Sequence, residues 1–147
     1  MRLTKIISGG QTGADQGGLA GAKELGIATG GTAPKGYRTE AGNNPSLRDL
    51  YYLEESRYWP YTYRTRDNVR NSNGTLWVGN IGSPGYWCTK RACDDKKKPW
   101  IENPTGLDLW EWVQHYQIYT LNVAGNRESK NPGIFEKTKA LIIEAFK

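Results

Sequence analysis

Short apolar runs alternate along the chain with longer segments in which apolar residues recur at helical spacing. Five of the runs are predicted strands, because each is short and is followed directly by glycine, asparagine or serine. They cover residues 3–7, 27–29, 75–78, 99–102 and 118–124. Strands that alternate with helices favour a parallel sheet covered on both faces, so we predict a three-layer α/β fold with a central, mainly parallel sheet flanked by helices.

Helical segments are predicted between these strands and after the last one. The segments run from Asp15 to Gly26, over 66–72 with Thr65 as N-cap, over 88–98, over 108–115, and from a cap at Asn131-Pro132 to the end of the sequence. The first helix contains Gly17, Gly18 and Gly21, and each interior glycine costs roughly 1 kcal/mol relative to alanine. We therefore expect this helix to pack unusually closely on the sheet.

Residues 47–63 are dense in tyrosine, tryptophan and arginine. Pro60 argues against a continuous helix, so we expect an irregular or partly extended insertion. Its aromatic rings would suit a contact with a partner subunit or with an aromatic ligand.

The turn after the first strand, Ser8-Gly9-Gly10-Gln11-Thr12-Gly13-Ala14-Asp15, is the strongest candidate for a binding site. Glycines allow a close approach of ligand or backbone, and the first turn of a helix presents N–H donors that attract anions. The alternative is a tight turn that serves packing alone.

Three further predicted strands end in glycine-rich segments, at 30–40, 79–85 and 125–129. In a parallel sheet these ends meet at one edge, which is where open α/β sheets bind ligands. We expect Lys35, Arg64 and Arg127 to bind phosphate there, and Asp15, Glu40 and Glu128 to bind ribose hydroxyls or base amines. The sequence therefore predicts a nucleotide pocket.

Composition narrows the class of protein. The chain has 147 residues, 37% of them apolar and 24% charged, which fits one globular domain over 1–147. No run approaches a membrane span and Met1-Arg2-Leu3 leads straight into a strand, so we expect a cytoplasmic protein without membrane contact. The net charge of +5 favours anionic partners, but the basic residues are too scattered to favour nucleic acid.

Several familiar sites are missing from the sequence. There is no G-x-x-x-x-G-K-[ST] loop, and the first turn is not G-x-G-x-x-G, which argues against an NTPase and a dehydrogenase. Cys88 and Cys93 have no metal-binding companions, and His115 lies alone near a helix end. We assign no catalytic residue, no metal ligand and no obligatory cofactor.

Four groups of residues resemble the circularly permuted YpsA-like family, whose members are often labelled molybdenum carriers. They are residues 7–15, residues 30–36 with 39–42, Arg64-Thr65 with Asn68-Val69 and Ser72, and residues 121–125 with 127–129. The family belongs to the SLOG superfamily with YpsA, DprA and the Lonely guy proteins. The resemblance implies a Rossmann-like nucleotide-binding fold that is usually oligomeric, and relatives that include cytokinin-releasing phosphoribohydrolases, molybdenum-cofactor carriers and domains that sense NAD-derived signals.

The resemblance completes the set of candidate ligand-binding residues. They are Gly9, Gly10, Gln11, Thr12, Gly13, Asp15, Lys35, Gly36, Thr39, Glu40, Arg64, Asn68, Gly82, Ser83, Thr89, Arg127, Glu128 and Ser129. The chain departs from the family pattern at Asn73, at Asn126 and at Tyr86-Trp87. It also lacks the final glutamate of the P-G-G-x-G-T-x-x-E motif that the phosphoribohydrolases carry, which favours binding over catalysis.

The leading hypothesis is a non-catalytic binder of a nucleotide-derived ligand whose phosphates lie at the turn from Gly10 to Gly13. Such a protein would act as a carrier, a sensor or a sponge, for instance for a cyclic ADP-ribose-type signal, and would form a dimer or tetramer. The alternatives are a nucleoside-monophosphate phosphoribohydrolase, a molybdenum-cofactor carrier and a single-strand nucleic-acid binder.

Overall fold

A computed structural model of the chain describes residues 3–147, and Met1 and Arg2 lie outside the described residues. Its central sheet has five parallel strands in the order β2-β1-β9-β7-β8. The strands of the molecule are β1 (Lys5–Ile7), β2 (Ala28–Gly30), β3 (Thr32–Ala33), β4 (Arg38–Thr39), β5 (Gly42–Asn43), β6 (Glu54–Glu55), β7 (Gly74–Val78), β8 (Trp100–Glu102) and β9 (Thr120–Gly125). All five strands predicted from the apolar runs are confirmed, and so is the α/β fold class.

Residues 3–147 form six α-helices, most of which flank the sheet. They are α1 (Ala14–Glu24), α2 (Ser46–Tyr51), α3 (Tyr61–Arg70), α4 (Pro84–Lys96), α5 (Gly106–Tyr116) and α6 (Ile134–Phe146). The short strands pair outside the main sheet, β3 with β6 in parallel and β4 with β5 antiparallel. No helix between residues 3 and 147 is long and apolar enough to cross a membrane.

The two faces of the sheet bury different side chains. Val123 and Leu76 join one apolar cluster with Leu109 of α5 and Ile142 of α6. On the opposite face the Trp77 ring packs edge-on against Tyr86 of α4. Because both faces are covered, the strands read as short continuous apolar runs, as is usual for parallel sheets.

The three glycines of α1 let α6 and the sheet pack close to the backbone of this helix. A Cβ atom on Gly17 would lie 2.5 Å from the carbonyl oxygen of Phe135, and one on Gly21 would lie 2.9 Å from Cβ of Ile142. Gly18 faces the sheet, where a Cβ would lie 2.8 Å from Cβ of Val123. The predicted close packing on the sheet is therefore present, and α6 packs on the same helix equally closely.

The segment around Pro60 differs from its prediction. The helix predicted over 66–72 begins five residues earlier, at Tyr61, and Pro60 rather than Thr65 occupies the N-cap position. Proline is tolerated at a helix start because the missing N–H has no helical partner there. The predicted irregular insertion over 47–63 thus contains α2, β6 and the first turn of α3, and it buries Leu47 and Leu53.

Two other helix starts also differ. The helix predicted over 88–98 begins at Pro84, with the Ser83 hydroxyl accepting a hydrogen bond from the N–H of Tyr86. The last helix begins at Ile134 and is not capped by Asn131, because the Glu128 carboxylate accepts the N–H groups of Gly133 and Phe135 at 2.7 and 3.0 Å.

The packing of α1 on α6 predicts an unusual response to alanine. Gly17→Ala should destabilise the protein by about 1–3 kcal/mol, because the new methyl group overlaps the backbone of α6. Helix propensity alone predicts a gain of about 1 kcal/mol. Urea unfolding followed by tryptophan fluorescence measures the difference, with Ala20→Gly on the same helix calibrating propensity. A Gly17→Ala variant at least as stable as the wild type would contradict this packing.

Candidate functional site

The sheet has a switch point at its carboxyl edge. The chain leaves β1 into α1, which packs against α6, and leaves β7 into α4, which packs against α3 on the other face. Because the two exits separate to opposite faces, a crevice opens above β9, which lies between β1 and β7. Crevices of this kind are the usual ligand sites of open α/β sheets.

A cleft of about 470 Å³ lies at this point. Five parts of the chain line it, namely the turn after β1 with the start of α1, the first half of α3, strand β7, the start of α4 and the exit of β9. The lining residues are Gln11, Asp15, Tyr61, Thr62, Arg64, Thr65, Trp77, Ser83, Pro84, Gly85, Cys88, Thr89, Ala124, Gly125, Asn126, Arg127 and Lys130. The volume falls within the range of about 300–1,000 Å³ that is typical of small-molecule sites.

An ion pair forms part of the cleft wall. Arg64 Nη1 donates to Asp15 Oδ2 at 3.1 Å, and the two side chains are only 16% and 4% exposed. The same carboxylate oxygen accepts the backbone N–H of Gln11 at 3.1 Å. The pair therefore joins the start of α1 to the middle of α3, 49 residues further along the chain.

Opposing effects act on the pKa of Asp15. Burial raises it above the ordinary value, while the charge of Arg64 and the N–H groups of Gln11 and Gly9 lower it. Burial has the larger effect, so the pKa of Asp15 is raised. The charge of Arg64 and the hydrogen bonds thus favour the ionised form of the carboxyl group, against the effect of burial.

Gly9 leaves the space that the guanidinium of Arg64 occupies. A Cβ atom there would overlap the guanidinium of Arg64, with Cζ only 2.6 Å away. The absence of a side chain at Gly9 lets the arginine lie directly across the turn and reach Asp15.

The protein itself uses most of the donors of the turn between Gly9 and Gly13. The N–H of Gln11 binds Asp15, that of Thr12 binds the Gln11 side chain at 3.1 Å, and that of Ala14 binds the carbonyl of Asn126 at 3.1 Å. A Cβ on Gly10 would meet Leu47 and Leu53, each at 2.8 Å, so this glycine faces the core. Within the turn, the N–H of Gln11 therefore binds the carboxylate of Asp15, a negative group of the protein itself.

The candidate residues predicted from the sequence fall into two groups. Gln11, Asp15, Arg64, Ser83, Thr89 and Arg127 line the cleft. The others are not among its lining residues: Gly9, Gly10, Thr12, Gly13, Lys35, Gly36, Thr39, Glu40, Asn68, Gly82, Glu128 and Ser129.

Several residues of the second group make contacts within the fold. The Asn68 side chain accepts the N–H of Thr32 at 2.8 Å and donates to its carbonyl at 3.0 Å, which holds β3 against α3. Thr39 donates to the carbonyl of Gly42 at 2.7 Å within the β4–β5 hairpin. Gly13 lies against the exit of β9, because a Cβ there would be 2.7 Å from the backbone nitrogen of Glu128.

Glu40 ties three loops together beside the cleft. Its carboxylate accepts the hydroxyls of Thr12 and Ser129 and the N–H of Ser129 at 3.1 Å. Its own N–H donates to the Gln11 side chain at 2.8 Å. Slight burial raises the pKa of Glu40, but the hydrogen bonds from Ser129 and Thr12 outweigh it and lower the pKa below its ordinary value.

The departures from the family pattern have local explanations. The N–H of Asn126 donates to Val78 at 3.3 Å, which a proline would not allow, and its side-chain oxygen accepts the N–H of Asn80 at 2.6 Å. The Asn73 side chain accepts the N–H groups of Tyr119 and Thr120. Tyr86 is buried against Trp77, as described above.

Some lining residues escaped the sequence analysis. Tyr61 was assigned to an irregular insertion, but in α3 it stands one turn before Arg64 and Thr65 on the same face. Lys130 follows the predicted exit of β9 by one residue, and Cys88 precedes Thr89 on α4. Helical spacing from Tyr61 onward is the one sequence signal that places Tyr61 on the same face as Arg64 and Thr65.

The sheet order and the cleft define a Rossmann-like α/β protein with a site at its switch point. A family model described as the circularly permutated YpsA SLOG family matches residues 6–146, and the chain belongs to this family. The predicted resemblance is confirmed. The fold is also similar to the crystal structure of a "Putative molybdenum carrier protein" from Syntrophus aciditrophicus SB, with a TM-score of 0.87 and 35% identity, covering 98% of this chain and 94% of the other.

No curated protein matches the chain. The family and the similar structure support a ligand-binding function in general terms.

The Glu40 contacts predict a pH dependence. Because its pKa is lowered in the folded protein, Glu40 contributes stability above its ordinary pKa of 4.5, and this contribution is lost as the pH falls through the lowered value. Glu40→Gln should be less stable than the wild type at pH 7, by less than about 1 kcal/mol because the carboxylate is exposed, and the difference should shrink at a pH well below 4.5.

Urea unfolding at both pH values measures the effect. Glu54→Gln removes an exposed carboxylate on strand β6 and is the matched control, which should be as stable as the wild type at pH 7. A difference between wild type and Glu40→Gln that persists at low pH would contradict the role given to the carboxylate.

Proposed function

We propose that the protein binds a nucleotide-derived, phosphate-containing small molecule in the cleft at the carboxyl edge of the sheet, without turning it over. The observation that carries this proposal is the charge of the lining residues. Three cations, Arg64, Arg127 and Lys130, face one carboxylate, Asp15. Two positive charges are left over, which suits a ligand with about two negative charges, such as a phosphate monoester or a pyrophosphate diester.

The remaining walls fit the rest of a nucleotide. Tyr61 provides an aromatic surface, and the Ser83 and Thr89 hydroxyls and the start of α4 border the opposite side. The amino end of a helix carries partial positive charge and supports an anion there. The cleft thus combines cations, an aromatic ring and hydroxyl groups.

The state of the carboxylates supports binding rather than cleavage. General acid or base catalysis needs a carboxyl group that reaches the substrate. Asp15 is almost fully buried and already accepts hydrogen bonds from Arg64 and Gln11, and Glu40 is tied to Thr12 and Ser129. These contacts favour binding over N-glycosidic cleavage.

The biological use of the binding is also part of the proposal. The protein would serve as a carrier, a sensor or a sponge, with a cyclic ADP-ribose-type signal as the candidate cargo. The similar structure described as a molybdenum carrier makes a molybdenum cofactor the second candidate, and a bound pterin in native mass spectrometry would favour it.

The homo-oligomer expected from the resemblance remains a proposal. Light scattering should give a mass of two or four times the 16.5 kDa of one chain, and the mass of a single chain would contradict it.

The binding prediction uses four probes in calorimetric titrations, AMP, ADP-ribose, cyclic ADP-ribose and ATP. At least one of the first three should bind more tightly than ATP. ATP carries more negative charge than the two excess positive charges of the cleft can balance. Arg127→Ala should weaken this binding by about tenfold or more, since a hydrogen bond to a charged group is worth about 1.5–3 kcal/mol. His115→Ala, exposed on α5 and far from the cleft lining, is the control and should bind as the wild type does.

Chromatography of the same mixtures tests the absence of turnover. The ligand should be recovered unchanged, whereas release of free base and ribose phosphate would establish the phosphoribohydrolase alternative. Failure of all four probes to bind would contradict the proposed ligand class.

A further inference from the structure

Arg64 uses only one of its nitrogen atoms in the ion pair. Nη1 donates to Asp15, and among the hydrogen bonds of residues 3–147 no partner is found for the buried Nε. An arginine whose role is purely to pair with a carboxylate commonly binds it through two parallel N–H bonds. The single bond to Asp15 leaves the edge formed by Nε and Nη2 uncommitted.

The surroundings of Arg64 hold its guanidinium in place. The backbone of Gly9 lies directly beneath it, and the Tyr61 ring lies 5.5 Å from Cζ. Both Arg64 and Tyr61 belong to α3, and Asp15 is in the first turn of α1, so two helices fix the pair. A donor held in this way loses little conformational freedom when a ligand binds.

The buried Nε also favours a ligand at this place. A buried N–H without a partner is destabilising, and an acceptor that reaches it relieves the cost. The Nε and Nη2 edge matches two oxygen atoms of one phosphate group. The side chain lines the cleft and is 16% exposed, so an anion in the cleft meets its exposed part first, and binding at the buried Nε requires the side chain to shift toward the cleft.

We propose that the free edge of Arg64 is the phosphate-binding group of the cleft and that Asp15 is its positioning residue. The inference rests on the proposed function, because it names the residue that receives the phosphate of that same ligand. It places the phosphate against α3 rather than on the backbone of the turn between Gly10 and Gly13, where the N–H groups of Gly10, Gln11 and Thr12 already bind within the fold.

The role of Asp15 has an unusual consequence for mutation. If Asp15 were only a negative charge beside the ligand, Asp15→Asn should tighten the binding of an anion. If it positions Arg64, the loss of the ion pair should weaken binding despite the more favourable charge. The direction of the change therefore distinguishes the two roles.

The experiment titrates AMP and ADP-ribose into the wild type and into Arg64→Lys, Asp15→Asn and Arg66→Lys. Arg66 is exposed on the same helix and is absent from the cleft lining, so Arg66→Lys is the matched control. We expect at least tenfold weaker binding for Arg64→Lys, threefold to tenfold weaker binding for Asp15→Asn, and no change for Arg66→Lys. Circular dichroism establishes that each variant is folded.

A spectroscopic measurement covers the case in which Asp15→Asn or Arg64→Lys fails to fold. The Nε–H resonance of Arg64 in the wild-type protein should shift when AMP is added, and that of Arg66 should not. An unshifted Arg64 resonance with bound AMP, or tight binding by folded Arg64→Lys, would overturn the inference. If the wild type still binds the ligand and Arg127→Ala weakens that binding, the proposed function stands although this inference fails. If the wild type binds none of the probes, the proposed function and this inference are both overturned.

Discussion

The ion pair between Asp15 and Arg64 determines how the two sides of the cleft meet. It joins the first turn of α1, on one face of the sheet, to α3, which packs with α4 on the other. The pair is buried, so the loss of either partner would leave an uncompensated charge in the fold. Its geometry also has a functional consequence, because Asp15 accepts the N–H of Gln11 in the glycine turn while Arg64 supplies a cation to the cleft.

Close backbone packing fixes the loops around that pair. The exit of β9 lies against both neighbouring exits, since a Cβ on Gly13 would meet the backbone of Glu128 and one on Gly125 would overlap the carbonyl of Val78. Glu40 adds hydrogen bonds from a third loop. A site whose walls are held by backbone contacts is largely formed before the ligand arrives, which reduces the entropy lost on binding.

The sequence predicts the sheet well because its signals are local. Each short apolar run with a glycine, asparagine or serine after it forms a parallel strand, and the glycine face of α1 packs closely. From parallel strands alone it follows that the exits meet at one edge, where the sequence analysis also expects Arg64 and Arg127. These inferences need only periodicity and the chirality of β-α-β units.

The fine structure of the site depends on contacts between residues far apart in sequence, and there the predictions fail or remain untested. Pro60 is a helix breaker in the middle of a helix and a good residue at its start, and the sequence did not show which position it holds. The expectation of an anion seat at Gly10–Gly13 could not take account of Asp15 and Arg64, since their pairing spans 49 residues. Glu40 and Glu128, predicted as ligand-binding carboxylates, make hydrogen bonds within the fold that only the tertiary structure reveals.

The most direct test of this account is a crystal structure of the protein with ADP-ribose or AMP bound. The account predicts phosphate density in the cleft, within hydrogen-bond distance of Arg64 Nε and with the bond between Arg64 Nη1 and Asp15 intact. Phosphate density on the backbone of Gly10–Gly13, with Asp15 turned away from that turn, would contradict it.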